Sequence, residues 1–148
     1  MHQSEEIFAT MFRVIKKSAV LMATPRYFGT EDLLYSSEIH MIDVIGRQPG
    51  ICVTEIACRL QITKGAVPKM IRKLLQKGMI ERYQAKENKK MVLFCLTDKG
   101  RIAFQSHMVF HEALDQKIMH KFDKLPEAEA YNFQDILQDI ENFIDTMK

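Results

Sequence analysis

The chain has 148 residues, 47% of them apolar and 27% charged, the size and composition of one globular domain or of one domain with a dimerising extension. No apolar run approaches the roughly 20 residues that cross a bilayer, and the polar, acidic start Met1–Glu6 lacks the basic and apolar regions of a secretory leader, so a cytoplasmic protein without a membrane partner is expected. Three cysteines (Cys52, Cys58, Cys95) without a CxxC pair argue against a disulfide framework or a zinc–thiolate site. Six glycines spell none of the usual phosphate-binding or hydrolase signatures.

In chain order, Phe8, Met11, Phe12, Ile15, Ala19 and Met22 recur at three- and four-residue steps, which predicts an amphipathic helix over 7–22 that stops at Thr24-Pro25. Residues 26–35 read as a loop with a short helix. Ser36 or Ser37 is the expected cap of a second helix over 38–48, with Ile39, Met41, Ile42 and Ile45 apolar and Pro49-Gly50 ending it. Residues 54–78 then read as two short helices crossing steeply. Ile56, Leu60, Ile62, Val67, Ile71 and Leu74 are their buried set, and Ala57 is small where the helices meet. Thr63 is the expected cap of the second and Gly78 its terminator. This is a helix-turn-helix. Residues 79–84 and 91–96 read as strands joined by the basic tip 85–90, a wing. Thr97-Asp98-Lys99-Gly100 caps a long helix through Phe104, Met108, His111, Leu114 and Ile118 to about Phe122. Pro126 opens a last, acidic helix with Phe133, Ile136, Leu137, Ile140, Phe143, Ile144 and Met147 on one side.

The net charge of +2 is unevenly spread. Between Arg59 and Lys90 stand ten basic and two acidic residues, a window of +8, so the remainder carries −6. A basic centre between acidic ends is the electrostatic footprint of a nucleic-acid-binding module. A helix-turn-helix reading two half-sites needs a two-fold axis, so a homodimer is expected.

These residues resemble a known family. Ile56-Ala57-x-x-Leu60, Thr63-Lys64-Gly65-Ala66-Val67, Lys73-Leu74-x-x-Lys77-Gly78-Met79-Ile80-Glu81-Arg82 and Leu96-Thr97-Asp98-Lys99-Gly100 are similar to the MarR family of bacterial winged-helix repressors. The resemblance implies a mainly α fold with a small β-wing. Residues 36–100 would form the winged helix-turn-helix, and 1–35 with 101–148 the helical dimerisation region, in one continuous domain. It also implies a homodimer on a pseudo-palindromic double-stranded operator, a small-molecule effector and no enzymatic activity. Carried onto this chain, it directs Thr63, Lys64, Gly65, Pro68, Lys69 and Arg72 toward DNA, with Lys73, and Lys89 and Lys90 at the wing. Helical spacing independently sets 65, 68, 69 and 72 opposite Val67, Ile71 and Leu74. Two departures stand out. Pro68 replaces the usual Ser or Thr, removing a donor, so that the helix starts late or bends. Asn88-Lys89-Lys90 replaces Asp-x-Arg, giving up arginine's fork in the minor groove.

His107 and His111 are four apart on the long helix, and His40 lies on the second helix. The zinc-sensing members of the family use a similar histidine set, so a zinc-like divalent metal is one reading, although no cofactor is required by the sequence and the further acidic and cysteine ligands are unmatched. Regulators of fatty-acid synthesis share Glu38–Gly46 and the HxxxH, with an acyl effector and no metal. A buried hydrogen-bonded histidine cluster is the third reading. His-Met-Val-Phe-His lacks the glutamate of HExxH, which argues against a metallohydrolase. The methionines, Met11, Met22, Met41 and Met108 among them, suit an adaptable pocket or plain core. A metal- or acyl-binding protein that keeps the winged scaffold as a protein-interaction module is the alternative function, but such a module has no need of +8 on one lobe.

Overall fold

A computed structural model describes residues 2–147, together with all their side chains except that of Leu114, whose assignment to the apolar side of the long helix falls outside the described residues. The chain divides into two units, Met1–Met108 and Val109–Lys148. Six helices and one hairpin follow the expected order: α1 (Gln3–Ala23), α2 (Ser36–Arg47), α3 (Val53–Leu60), α4 (Val67–Gln76), β1 (Ile80–Gln84), β2 (Val92–Leu96), α5 (Asp98–Phe122) and α6 (Glu127–Asp145).

The core belongs to the first unit. Ile39, Met41, Ile42 and Ile45 of α2 pack with Ile56 and Ala57 of α3, Val67, Ile71 and Leu74 of α4, and Ile80, Phe94 and Leu96 of the wing. Leu60 and Ile62, expected in that set, are half-buried at its edge. Burying such side chains supplies about 1.5–3 kcal/mol each relative to leaving them exposed. Gly46 is where α2 meets the side chain of Phe104, since a Cβ there would stand 2.6 Å from the ring.

The wing is a two-stranded antiparallel sheet in the register Ile80↔Leu96, Arg82↔Phe94 and Gln84↔Val92. Alternation turns Phe94 and Leu96 inward, and Ile51 adds a bridge to Phe94. Thr97 joins wing to α5: its hydroxyl donates to Gly78 O at 2.6 Å and accepts Gly100 N–H at 3.0 Å. Gly100 is required here, because a Cβ would fall 1.9 Å from Met79 O.

Three local expectations are corrected. Residues 26–35 contain no helix; Arg26 and Leu34 pair as a bridge around a turn, with Phe28 and Gly29 at positive φ. The cap of α2 is Tyr35, not Ser36 or Ser37, because the Glu38 carboxylate reaches back to accept Tyr35 N–H at 2.9 Å and fixes the first turn one residue earlier. Thr63 is not the cap of α4. Starting that helix after Thr63 would require a hydrogen bond from residue 68 to Lys64 O, and proline has no N–H. Ala66 N–H instead bonds Thr63 O at 3.1 Å, Val67 N–H bonds Lys64 O at 3.4 Å, and α4 begins at Val67 with Pro68 inside its first turn. The late start expected from Pro68 is therefore present.

Gly78 ends α4 as expected. It lies at φ +66°, its N–H reaches Leu75 O at 3.0 Å, and Met79 N–H reaches Leu74 O at 2.9 Å. This double closure, with Leu74 and Met79 both buried, is a Schellman stop.

α1 is longer than the periodicity implied, and it buries no residue; Phe8, Phe12, Ile15 and Met22 are all exposed. In the second unit α6 likewise buries none, with Phe122 and Phe133 at 5.7 Å between ring centres at the start of an open apolar groove.

Candidate nucleic-acid interface

α4 presents two faces. Val67, Ile71 and Leu74 are buried, while Pro68, Lys69, Arg72 and Lys73 are exposed on the other side. Thr63, Lys64 and Gly65 are exposed in the turn that leads into the helix, and nothing lies within 4 Å of where a Gly65 Cβ would stand. Among the described residues no carboxylate pairs with Lys64, Lys69, Arg72 or Lys73; the ion pairs of this unit lie elsewhere. Four cations thus stand exposed on α4 and the turn before it. Long side chains in that setting can reach base edges or phosphates without first breaking an internal bond.

The wing tip extends the charge. Arg82, Lys86, Lys89 and Lys90 are exposed, and Asn88 shapes the tip by accepting Met91 N–H on its carbonyl at 2.9 Å and Lys90 N–H on its side chain at 3.1 Å. Two members of the basic window are held by partners within the chain. Arg59 donates to Gln48 Oε1 at 2.6 Å, and Lys77 binds the Glu38 carboxylate. Sequence counting could not separate these from the other eight cations, because the partners lie 11 and 39 residues away.

His40 and His107 lie in the first unit and His111 in the second. His107 is buried; its Nδ1 faces Asp43 Oδ1 at 3.7 Å, and its ring meets Phe28 edge-on at 5.6 Å and the exposed His40 at 6.0 Å. Asp43, which also accepts Arg47 Nε at 2.8 Å, was not singled out in the sequence, although it stands three residues after His40 and hence on a shared face. His111 belongs to the second unit, where its ring lies edge-on to Phe110 at 5.7 Å. Among the described residues no three His, Cys, Asp or Glu side chains converge as a metal site. The Cys95 thiol, which donates to Glu81 Oε1 at 3.4 Å, has its pKa raised, first by burial and then by Glu81, and is a poor thiolate.

A groove of about 570 Å³ opens beside the same helices, lined by Tyr35, Ser36, Ser37 and His40 on one side and Leu60, Ile62 and Met70 on the other.

Comparison with known proteins agrees with this architecture. The model of the MarR family matches residues 34–92, from the residue before Tyr35 into β2. The helix-turn-helix transcriptional regulator BilQ of Clostridium symbiosum is 33% identical over 101 residues, which are 68% of this chain and 67% of that protein. The chain belongs to the MarR family of helix-turn-helix transcriptional regulators. That family is one of regulators, not enzymes. The regulator YhjH of Bacillus subtilis is 32% identical over 112 residues, 76% of this chain, and the match spans 64% of that relative's length. Among solved structures, FabT of Streptococcus pneumoniae in complex with DNA aligns over 98% of this chain and 96% of its own, with 28% identity and a TM-score of 0.67. ZitR of Lactococcus lactis in complex with DNA aligns over 97% and 99%, with a TM-score of 0.74 at 19% identity, a likeness of fold. This MarR-family chain therefore carries the expected mainly α winged helix-turn-helix fold, and among the described residues no helix is long and apolar enough to cross a membrane.

Proposed function

We propose that this protein is a cytoplasmic, homodimeric, sequence-specific DNA-binding regulator, acting as a repressor on a pseudo-palindromic operator. The observation that carries the reading is the outer face of α4 with the turn before it: among the described residues no acid pairs with the exposed Lys64, Lys69, Arg72 and Lys73, and α4 buries Val67, Ile71 and Leu74 on its other side. In this reading Lys69 and Arg72 enter the major groove, Thr63, Lys64 and Gly65 meet phosphate at the start of the helix, Pro68 contacts DNA through its ring alone, and Lys89 and Lys90 follow the adjacent minor groove. A FabT–DNA complex of the same fold supports it.

The dimerisation region of the proposal is residues 1–35 with 101–148. Its support is the exposed apolar stripe on α1 and that on α6, neither of which buries a residue within the chain. The effector site of the proposal is the groove beside Tyr35, His40 and Met70, whose volume falls in the range of small-ligand pockets. A ligand there shifts DNA affinity only by binding one arrangement of the lobes better than another.

The test is selection of duplexes from a random pool by the full-length protein. The proposal expects enrichment of an inverted repeat whose half-sites lie about one helical turn apart, roughly 34–36 Å. A pool that remains random after selection contradicts it.

A further inference from the structure

Lys77 is the one lysine of the basic window that the fold draws inside. It is the C-cap of α4, between Gln76 and Gly78, and its side chain is only 24% exposed. An ammonium group has three N–H donors, and three oxygens meet it: Leu33 O at 2.8 Å, Glu38 Oε1 at 2.8 Å and Glu38 Oε2 at 2.9 Å. Glu38 is 2% exposed, the most buried charged residue among those described. Its Oε2 also accepts Tyr35 N–H at 2.9 Å, so one carboxylate closes the first turn of α2 and holds the end of α4. The Tyr35 ring lies under the ammonium at 5.7 Å.

The arrangement ties the C-terminal end of the proposed recognition helix to the segment 33–38 through a nearly dry ion pair. Among the described residues the N-terminal end has no comparable side-chain clasp, since Pro68 delays the helix and Thr63–Ala66 form an exposed turn. Apolar contacts of Val67, Ile71 and Leu74 resist separation of α4 from the core but are non-directional, whereas a bidentate, three-acceptor clasp fixes its direction. We propose that Glu38 and Lys77 are positioning residues for operator recognition, setting the aim of α4 so that Lys69 and Arg72 meet base edges, and that Lys77 makes no phosphate contact. The proposal rests on the DNA-binding reading above and adds to it the residues on which discrimination between sequences depends.

The two roles open to a lysine in a DNA-binding lobe leave different marks. Removal of a phosphate-binding lysine lowers affinity for every sequence and makes log K less steep in log salt by about 0.9 per contact. Removal of a positioning lysine lowers affinity for the preferred duplex alone. Full-length wild type, Lys77→Met and the double variant Glu38→Met/Lys77→Met are compared by fluorescence anisotropy, on the duplex that wild type selects from a random pool and on a random duplex of equal length, across a salt series. Melting curves run alongside. The double variant leaves no lone buried charge, and such replacements are often tolerated by the fold, so it carries the test if Lys77→Met does not fold.

The expected result is a roughly ten- to hundredfold loss on the selected duplex, the worth of about one base contact, with affinity for random duplex and the salt slope unchanged. A slope shallower by about 0.9 per lobe, with binding to both duplexes reduced together, would show Lys77 to be a phosphate ligand and overturn the proposal. Folded variants that discriminate as wild type does would also overturn it, leaving the pair a stabilising contact only. A wild type that enriches no duplex sinks the DNA-binding reading itself, and this proposal with it.

Discussion

The winged lobe and the terminal helices use the same apolar vocabulary to opposite ends. α2 buries five of its twelve residues, whereas α1, with 21, and α6, with 19, bury none. The lobe is complete as a single chain: its Ile, Leu and Val side chains find one another across α2, α3, α4 and the wing. The terminal helices carry Phe12 at 57% exposure and Ile136 at 57%, positions that water does not favour for such side chains. A periodic apolar stripe therefore predicts that something will cover it, and does not say whether that cover is the same chain. In the lobe it is the same chain; for α1 and α6 the proposal assigns a second copy.

The sharpest way to break this comparison is to charge one stripe. Ile136→Glu combined with Ile144→Glu changes only exposed positions of the single chain, so the melting of the lobe should be retained while the dimer is lost in sedimentation at micromolar concentration. A variant that stays dimeric moves the interface elsewhere. The matching change in the lobe acts on stability instead. Leu74→Ala empties a fully buried site and should cost about 2–5 kcal/mol in denaturant unfolding. On the opposite face of the same helix, Arg72→Ala should leave melting within about 0.5 kcal/mol of wild type and weaken operator binding by about 1–3 kcal/mol. If Arg72→Ala unfolds the protein, the two faces of α4 have been exchanged.

The smallest effect is electrostatic. Lys99 pairs with Asp32 and Glu31. Bonding to Asp32 first, then to Glu31, raises its pKa, while the Lys99 bond is the largest cause lowering that of Glu31. A depressed carboxylate contributes stability above its ordinary value of 4.5, lost as pH falls through the folded value; a raised lysine contributes below its ordinary 10.5, lost as pH rises through the folded value. Wild type should therefore melt slightly above Lys99→Ala between those limits, with the two curves meeting in acid. A gap that persists at pH 2 would mean that Lys99 acts through its methylene stem.

Much of this was legible in the sequence, for identifiable reasons. Every helix follows from its apolar stripe, while Gly78 is required by its φ of +66° and Gly100 by its surroundings. The faces of α4 follow from its 3.6-residue repeat. What was hidden depends on distant partners. Tyr35 caps α2 because Glu38 turns back toward it, where a rule of cap preference chose serine. Lys77 counts as a surface cation until Glu38, 39 residues earlier, is beside it. His107 is packed by Phe28, His40 and Asp43, a set that helical spacing within one element could not supply. Thr63 is an attractive cap by residue type, and Pro68 five residues later takes the position from it.

The exposed face of α4 is the centre of the account, and its most direct test is the salt dependence of binding to duplex DNA by the full-length protein. With Lys64, Lys69, Arg72, Lys73 and Lys89 or Lys90 on phosphates or bases in each lobe, roughly six to ten phosphate contacts per dimer should make affinity fall about 10³–10⁵-fold between 50 and 200 mM salt. Affinity that stays level across that range would contradict the assignment of this face to DNA.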